Sequence, residues 1–286
     1  MSGRQASGVA PGAAGTGGRD PALADENTAR RAIVDACLKM GALGLNPGRA
    51  GNVSLRWHRG GPRGAGMLIT PAAMPYETMT AADLVWLPLD ADEPDPATAP
   101  GKQSEDEGPG QRVPDGEDEG PGQRVPEGQA VPGALPSHRP SSEWRMHRDV
   151  YAARSDAGAV VHVHSPAATA LACLPRVQAD GIPAFHYMVA VAGGNDIRCA
   201  AYATFGSADL SRAAVAALAG RRACLLANHG TVALGATLAG ALELSVELES
   251  LARMYAQALQ LGEPVVLPAD EMARVLARFA GYRRAG

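Results

Sequence analysis

Residues 159–165 read Ala-Val-Val-His-Val-His-Ser, and residues 223–230 read Ala-Cys-Leu-Leu-Ala-Asn-His-Gly. Each begins with a short apolar run bounded by turn or helix-start residues, which is how a strand buried on both faces reads. Pro166 opens a helical pattern directly after the first run, to Leu174. Outward from these two strands, further elements alternate. Asn27 is a plausible N-cap for a helix carrying Ile33, Val34, Cys37 and Met40, ended by Gly-Leu-Asn-Pro-Gly. Gly51–Trp57 and Gly66–Thr70 alternate like the arms of a hairpin, joined by a stretch made of turn residues. A short helix is expected from Thr80, then a strand over Val85–Leu89. Residues 141–156 read as a helix opening near Ser141 or Ser142. A strand is expected over 184–191, and helices over 207–219, over 237–261 with Leu244, Leu248, Leu251 and Tyr255 on one face, and from Pro268 to about Tyr282. Strands alternating with helices argue α/β layering around one sheet.

Composition narrows what such a fold can do. The chain has 286 residues, 46% apolar and 20% charged, with a net charge of −4. That balance is globular and disfavours a polyanion-binding protein, and aromatics at 4% are too few for base stacking, so no nucleic-acid partner is expected. No apolar run reaches the ~18 residues of a membrane span, so no membrane partner is expected either. Residues 1–24 lack the apolar stretch of a signal peptide and read as a flexible Gly/Ala-rich tail. Cys37, Cys173, Cys199 and Cys224 form no Cys-x-x-Cys pair, which suggests reduced, buried thiols in a cytoplasmic protein. Residues 91–137 are rich in Pro, Gly, Glu and Asp and repeat Glu-Asp-Glu-Gly-Pro-Gly-Gln-Arg-Val-Pro at 105–114 and 117–126. With no apolar face to bury, they read as a disordered insertion in a single domain spanning 25–286. The only lysines are Lys39, at polar-face spacing in a helix, and Lys102, inside the insertion, so Schiff-base chemistry is not expected.

The histidines offer another chemistry. His162 and His164 lie two apart on a strand, so both imidazoles face the same way. Two buried imidazoles side by side are costly unless they share a cation. His229 follows the second buried strand, with Gly230 behind it to allow a tight turn. Three neutral imidazoles with an open position are the ligand set of a catalytic zinc site, although a lone strand-end histidine is more often simply hydrogen-bonded. Glu143 sits where Pro-Ser-Ser-Glu opens a helix, a place that suits either an anion site or an acid complementing the macrodipole. Gly51 and Asn52, in Gly-Asn-Val-Ser, form a second, weaker candidate anion loop.

These stretches, together with GLNPGRAGNVS, MLITPAAMPYETM, FHYMVAVAGGNDIRCAAYATFG and EMARVLARFAGY, come in the order found in the class II aldolase/adducin family, which the chain resembles over nearly all of 27–90 and 138–283. The resemblance implies a three-layer αβα sandwich with one central, largely antiparallel or mixed sheet. It implies a carbon–carbon lyase binding one Zn2+ per subunit through His162, His164 and His229, with Glu143 as acid/base and occasional ligand. Tyr187 would donate a proton at the aldehyde oxygen, across an interface of a fourfold homotetramer, and Tyr282 would help cover the site. Gly51, Asn52, Ser141, Ser142 and the turn at Ala72 and Ala73 would hold the substrate phosphate. The implied reaction is reversible cleavage of a ketose 1-phosphate, of the L-fuculose 1-phosphate type, to dihydroxyacetone phosphate and an aldehyde.

Two departures bear on that phosphate site. The family turn has a hydroxyl residue and Gly after Thr-Pro; here Ala72 and Ala73 follow Pro71. Arg49 stands where a small hydroxyl residue is common, and is expected either to supply charge to the phosphate or to point into solvent. Competing readings are a deoxyribulose- or methylthioribulose-phosphate aldolase, an epimerase, dehydratase or decarboxylase on the same scaffold, and a non-catalytic adducin-like assembly domain. The three histidines with Glu143 argue against the last, and Glu143 with Tyr187 favours an aldolase over an epimerase.

Overall fold

The computed structural model describes residues 23–47, 50–59, 64–90 and 138–285. The readings of the N-terminal tail before residue 23, of Arg49 and of the 91–137 insertion fall outside these residues. In chain order the elements are α1 (Glu26–Ala42), β1 (Asn52–His58), β2 (Ala65–Ile69), β3 (Val85–Pro88), α2 (Trp144–Ala153), β4 (Ala159–Val163), α3 (Pro166–Ala172), α4 (Pro175–Asp180), β5 (Ile182–Pro183), β6 (Asp196–Ile197), β7 (Cys199–Ala200), α5 (Ala208–Ala217), β8 (Ala223–Leu226), β9 (Gly230–Gly235), α6 (Leu238–Leu261) and α7 (Ala269–Ala285). The central sheet runs β3-β2-β1-β4-β9-β8-β7, antiparallel throughout except for the parallel β7–β8 pair, and β5 pairs with β6 beside it.

Strand alternation sorts the core onto two faces. On β4, Ala159, Val161 and Val163 turn toward α1 and α6, while Val160 turns toward α2 and α5. On β8, Ala223 and Leu225 join the α3/α6/α7 side, and Cys224 and Leu226 the α2/α5 side. The result is the expected αβα sandwich with a mixed sheet. Its middle strand delivers His162 to the α2 face, since residues two apart share a side of the pleat.

Local chemistry moved several boundaries. α1 starts earlier than Asn27, because Asp25 takes the cap: its Oδ1 accepts from the Thr28 N–H at 2.8 Å. Leu23, assigned by composition to the tail, packs in the core. The helix expected from Thr80 is one 3-10 turn, Ala81–Asp83, held by Asp83 Oδ2 accepting from the Thr80 N–H at 2.7 Å. The strand expected over 184–191 is instead a 3-10 helix over Tyr187–Ala192. His186 caps it by accepting from the Met188 N–H at 3.3 Å, and Gly193 ends it at φ 95°. Its buried residues, Val189, Ala190 and Ala192, do not follow the alternation a strand needs. Cys37 and Cys224 are buried free thiols as expected, with burial pushing both well above the usual thiol range, but Cys173 is exposed. No helix of the described residues is long and apolar enough to cross a membrane.

The short α3 depends on one buried carboxylate. Glu249, on α6, accepts from the N–H groups of Ala167 and Ala168 at 3.0 Å each. It therefore caps the helix that follows the histidine strand. Glu249→Ala is expected to lower folding stability by about 2–3 kcal/mol, and Glu249→Gln by less, because charge-assisted bonds to orphan helix donors are lost. Denaturant titration of the three proteins checks this.

Candidate metal centre and active site

Four elements meet at the site. β4 carries His162, and the chain just past its end carries His164. The turn between β8 and β9 carries His229, and Glu143 stands at the N-cap position of α2. The β8–β9 turn is closed by Asn228, at φ 53°, rather than by Gly230. Gly230 has a different job. A Cβ there would lie 2.4 Å from the Val163 carbonyl oxygen and 2.9 Å from the His164 ring, so only glycine lets β9 pass this close to the ligand. Gly51 does the same on the other side: its Cβ would lie 2.7 Å from the His162 carbonyl oxygen. That loop is clamped by Asn46 and Tyr76. Asn46 donates to the Tyr76 hydroxyl at 3.0 Å, and Tyr76 donates to the Gly51 carbonyl at 2.6 Å.

The three imidazoles stand edge to face, with ring centroids 4.8–4.9 Å apart, and their ligand nitrogens lie within 4.8 Å of one another. His162 Nδ1 donates to the Thr231 carbonyl at 2.9 Å. Its Nε2 therefore presents a lone pair, 3.0 Å from His164 Nε2 and 2.9 Å from a Glu143 carboxylate oxygen. The other Glu143 oxygen is 3.3 Å from His229 Nε2. Both carboxylate oxygens are buried without a well-directed hydrogen bond among the described residues. A single proton could bridge only one of these three contacts; a cation at the convergence serves all four side chains. Three imidazole nitrogens with a carboxylate oxygen suit a zinc-like divalent ion, and the backbone acceptor on His162 fixes the tautomer such an ion needs.

Electrostatics agree. Burial works to raise the Glu143 carboxyl, but His162, His229 and His147 outweigh it and hold the group down to about 2. Burial disfavours charge on His162, yet Glu143 more than offsets this and raises it. Burial, then His162 and His229, hold His164 down to about 4; burial, then His162, also lower His229. His164 and His229 are thus kept neutral, the form that binds metal.

A cleft of about 560 Å³ opens onto this point. Gly51, Ala72, Ala73, Ser141, Ser142, Glu143, His164 and His229 line it, along with Tyr202 and Phe205. The anion-loop candidates thus converge at one cleft, with Asn52 buried beside it at 3% exposure. The 70–73 turn is tied to the start of α2: Ser141 N–H donates to the Thr70 carbonyl and Ala72 N–H to the Arg139 carbonyl. Ala72 therefore has no donor left for an anion. Ala73 adopts φ 55°, the left-handed conformation that glycine takes without cost. Tyr187 is half-exposed on its 3-10 helix and does not line this cleft. Tyr282 lies near the end of α7, and its side chain is outside the described residues.

Sequence reading passed over a second polar layer. His147, Ser54 and Tyr151 lie buried behind Asn52 and are hydrogen-bonded to one another. The signal was present in two periods: Asn52 and Ser54 alternate on β1, and Glu143, His147 and Tyr151 recur every four residues along α2.

A mixed αβα sandwich with a centre of three histidines and a carboxylate at the end of its middle strands defines a class of metal-dependent enzymes acting on small substrates. Residues 31–256 match the Class II Aldolase and Adducin N-terminal domain family. The chain is 46% identical to the 5-methylthioribulose-1-phosphate/5-deoxyribulose-1-phosphate aldolase of Rhodospirillum rubrum, over 88% of this chain and 91% of that one. It is 40% identical to the L-fuculose phosphate aldolase of Escherichia coli K12, over 90% and 97% of the two chains. A solved L-fuculose 1-phosphate aldolase superposes with a TM-score of 0.66 at 30% identity, covering 93% of this chain and all of that one. The chain belongs to the class II aldolase and adducin family, as a metal-dependent carbon–carbon lyase of the aldolase branch.

Two substitutions test the geometry. Gly230→Ala forces a methyl into the Val163 carbonyl and the His164 ring, and should lower bound metal severalfold while circular dichroism stays native. Ala73→Gly relieves a left-handed alanine and should raise stability by about 1 kcal/mol, read from denaturant midpoints.

Proposed function

We propose that this protein reversibly cleaves the C3–C4 bond of ketose 1-phosphates, giving dihydroxyacetone phosphate and an aldehyde, with zinc as its ion. On this reading 5-methylthioribulose 1-phosphate and 5-deoxyribulose 1-phosphate are better substrates than L-fuculose 1-phosphate. The reaction rests on the position of Glu143, whose carboxylate lies 2.9 Å from His162 Nε2 and also lines the cleft. One group thus reaches both the ion's place and the substrate's carbon.

His162, His164 and His229 would hold the ion, which supplies Lewis-acid stabilisation for the negative charge that develops on the enediolate. Glu143, ionised at neutral pH, removes the C3 proton of dihydroxyacetone phosphate in the condensation direction and returns it in cleavage. Tyr187 stands half-exposed and away from its own cleft, which suits a tyrosine handing its proton to the aldehyde oxygen in a neighbouring subunit of a homotetramer. Tyr282 would help cover the site. At the other end, Gly51, Asn52, Ser141, Ser142 and the Ala73 N–H hold the phosphoryl group, with Arg49 adding charge. Ala72 contributes shape only, its N–H being committed to Arg139. This anchoring supplies remote binding energy that positions the reacting carbons. The free thiols suit a reducing, cytoplasmic setting.

The substrate preference is supported by the rim. Tyr202 and Phe205 are 64% and 66% exposed where they border the cleft, an apolar surface that suits a methyl or methylthio end better than a hydroxylated one. The higher identity to the methylthioribulose/deoxyribulose enzyme points the same way.

Zinc-loaded protein is expected to release dihydroxyacetone phosphate from a panel of these ketose 1-phosphates, fastest from the methylthio and deoxy members. A chelator should abolish release and added zinc restore it. Glu143→Gln should lower kcat by about 10²–10⁴-fold. No release from any member, with metal bound, would overturn the reading.

A further inference from the structure

In the orientation that Asn52 takes, the buried layer behind it has one donation sense, and that sense decides which end of the amide faces away from His147. His147 Nε2 lies 2.5 Å from Asn52 Oδ1, and His147 Nδ1 lies 2.7 Å from Ser54 Oγ. Ser54 Oγ lies 2.9 Å from the Tyr151 hydroxyl. Asn52 Oδ1 only accepts, so His147 must carry its proton on Nε2. Nδ1 then accepts from the Ser54 hydroxyl, which leaves Ser54 to accept from Tyr151. His147 and Ser54 are fully buried and Tyr151 nearly so, so the layer is closed to solvent and its sense is set by these four side chains alone. At the far end, the Asn52 amide nitrogen has no hydrogen-bond partner among the described residues.

We propose that His147, backed by Ser54 and Tyr151, is a positioning residue that locks the Asn52 amide with its NH2 group free for the anion end of the cleft, so that Asn52 donates to a bound phosphoryl group and cannot turn its carbonyl toward it. The inference rests on the proposed reading of Asn52 as a phosphate contact. It assigns a role to three residues that touch neither metal nor substrate. Without the Nε2–H donor, the amide could flip, and the flipped carbonyl would face the phosphate's negative charge.

The test uses metal-loaded, full-length protein and inorganic phosphate as the probe, by calorimetric titration. His147→Leu should weaken phosphate binding by about tenfold or more, the size of losing one charge-assisted bond. Michaelis constants for a ketose 1-phosphate should rise in step, with a smaller change in kcat, and bound metal should stay at wild-type stoichiometry. His147→Gln, which restores an N–H near the Nε2 position, should recover most of the affinity. Adding His147→Leu to Asn52→Ala should cost little more than Asn52→Ala alone, since both remove the same contact. Should His147→Leu fail to fold, Ser54→Ala and the imidazole 15N resonances of the wild-type protein carry the test, and an Nδ1–H tautomer at His147 overturns the inference. Unchanged phosphate affinity in a folded His147→Leu, or a folded His147→Gln no better than it, also overturns the relay while leaving the proposed reaction standing. Wild-type protein that holds metal but binds no phosphate overturns the phosphoryl reading and the relay together.

Discussion

Three imidazole lone pairs and a carboxylate, linked by contacts of 2.9–3.3 Å, repel unless something positive sits between them. His162, His164, His229 and Glu143 are held in that arrangement. Much of the surrounding structure works to keep it there. Val161 and Val163 pin β4 to the α1/α6 layer, so His162 has nowhere to turn but the α2 face. The Thr231 carbonyl fixes its ring. Gly51 and Gly230 let the flanking backbones approach closer than any side chain permits. A site prepared this way has met the ordering cost during folding, so metal and substrate binding need not.

Much of this was legible because it is periodic or local. The His-x-His spacing places two ligands on one face whatever the register, and Asn-His-Gly after a buried run places a third at a strand end. What was not legible depends on contacts across long stretches of chain. Glu143 could have been a simple helix-start acid; only the packing of α2 against the sheet turns it to His162 and His229. Asn46 and Tyr76 look like ordinary loop residues until Gly51 is seen between them. Gly230 was read as turn chemistry, whereas Asn228 takes the left-handed position and Gly230 makes room for His164. The stretch at 184–191 failed for a different reason: its apolar residues fit a strand in composition, and the His186 cap with Gly193 decided for a tight helix.

The packing around the cleft also explains how the 70–73 turn holds an alanine in the left-handed conformation. With Ala72 committed to Arg139, Ala73 held left-handed and the buried Thr70 hydroxyl accepting from the Val53 N–H at 3.3 Å, the 70–73 turn is left with the Ala73 N–H. Strain of this kind persists only where the surroundings over-determine it. The Pro71–Pro140 bridge and the Ser141–Thr70 bond supply that constraint. On this side of the cleft the hydroxyl groups therefore come from the chain leading into α2, where Ser141 and Ser142 stand.

The two ends of the cleft differ in how much they can discriminate. The metal end is largely buried, polar and fixed, and a missing partner there leaves a desolvated group unpaired, which costs several orders of magnitude in turnover. The rim at Tyr202 and Phe205 is exposed and apolar. A methyl or methylthio group against such a surface is worth only about 1–3 kcal/mol, roughly 10- to 200-fold. It follows that the part of a substrate held at the metal end is read strictly and the part against the rim loosely. Relatives on this scaffold can then differ in preferred sugar while keeping every metal ligand, because changing the tail preference requires changing only the part of the site that holds least of the binding energy.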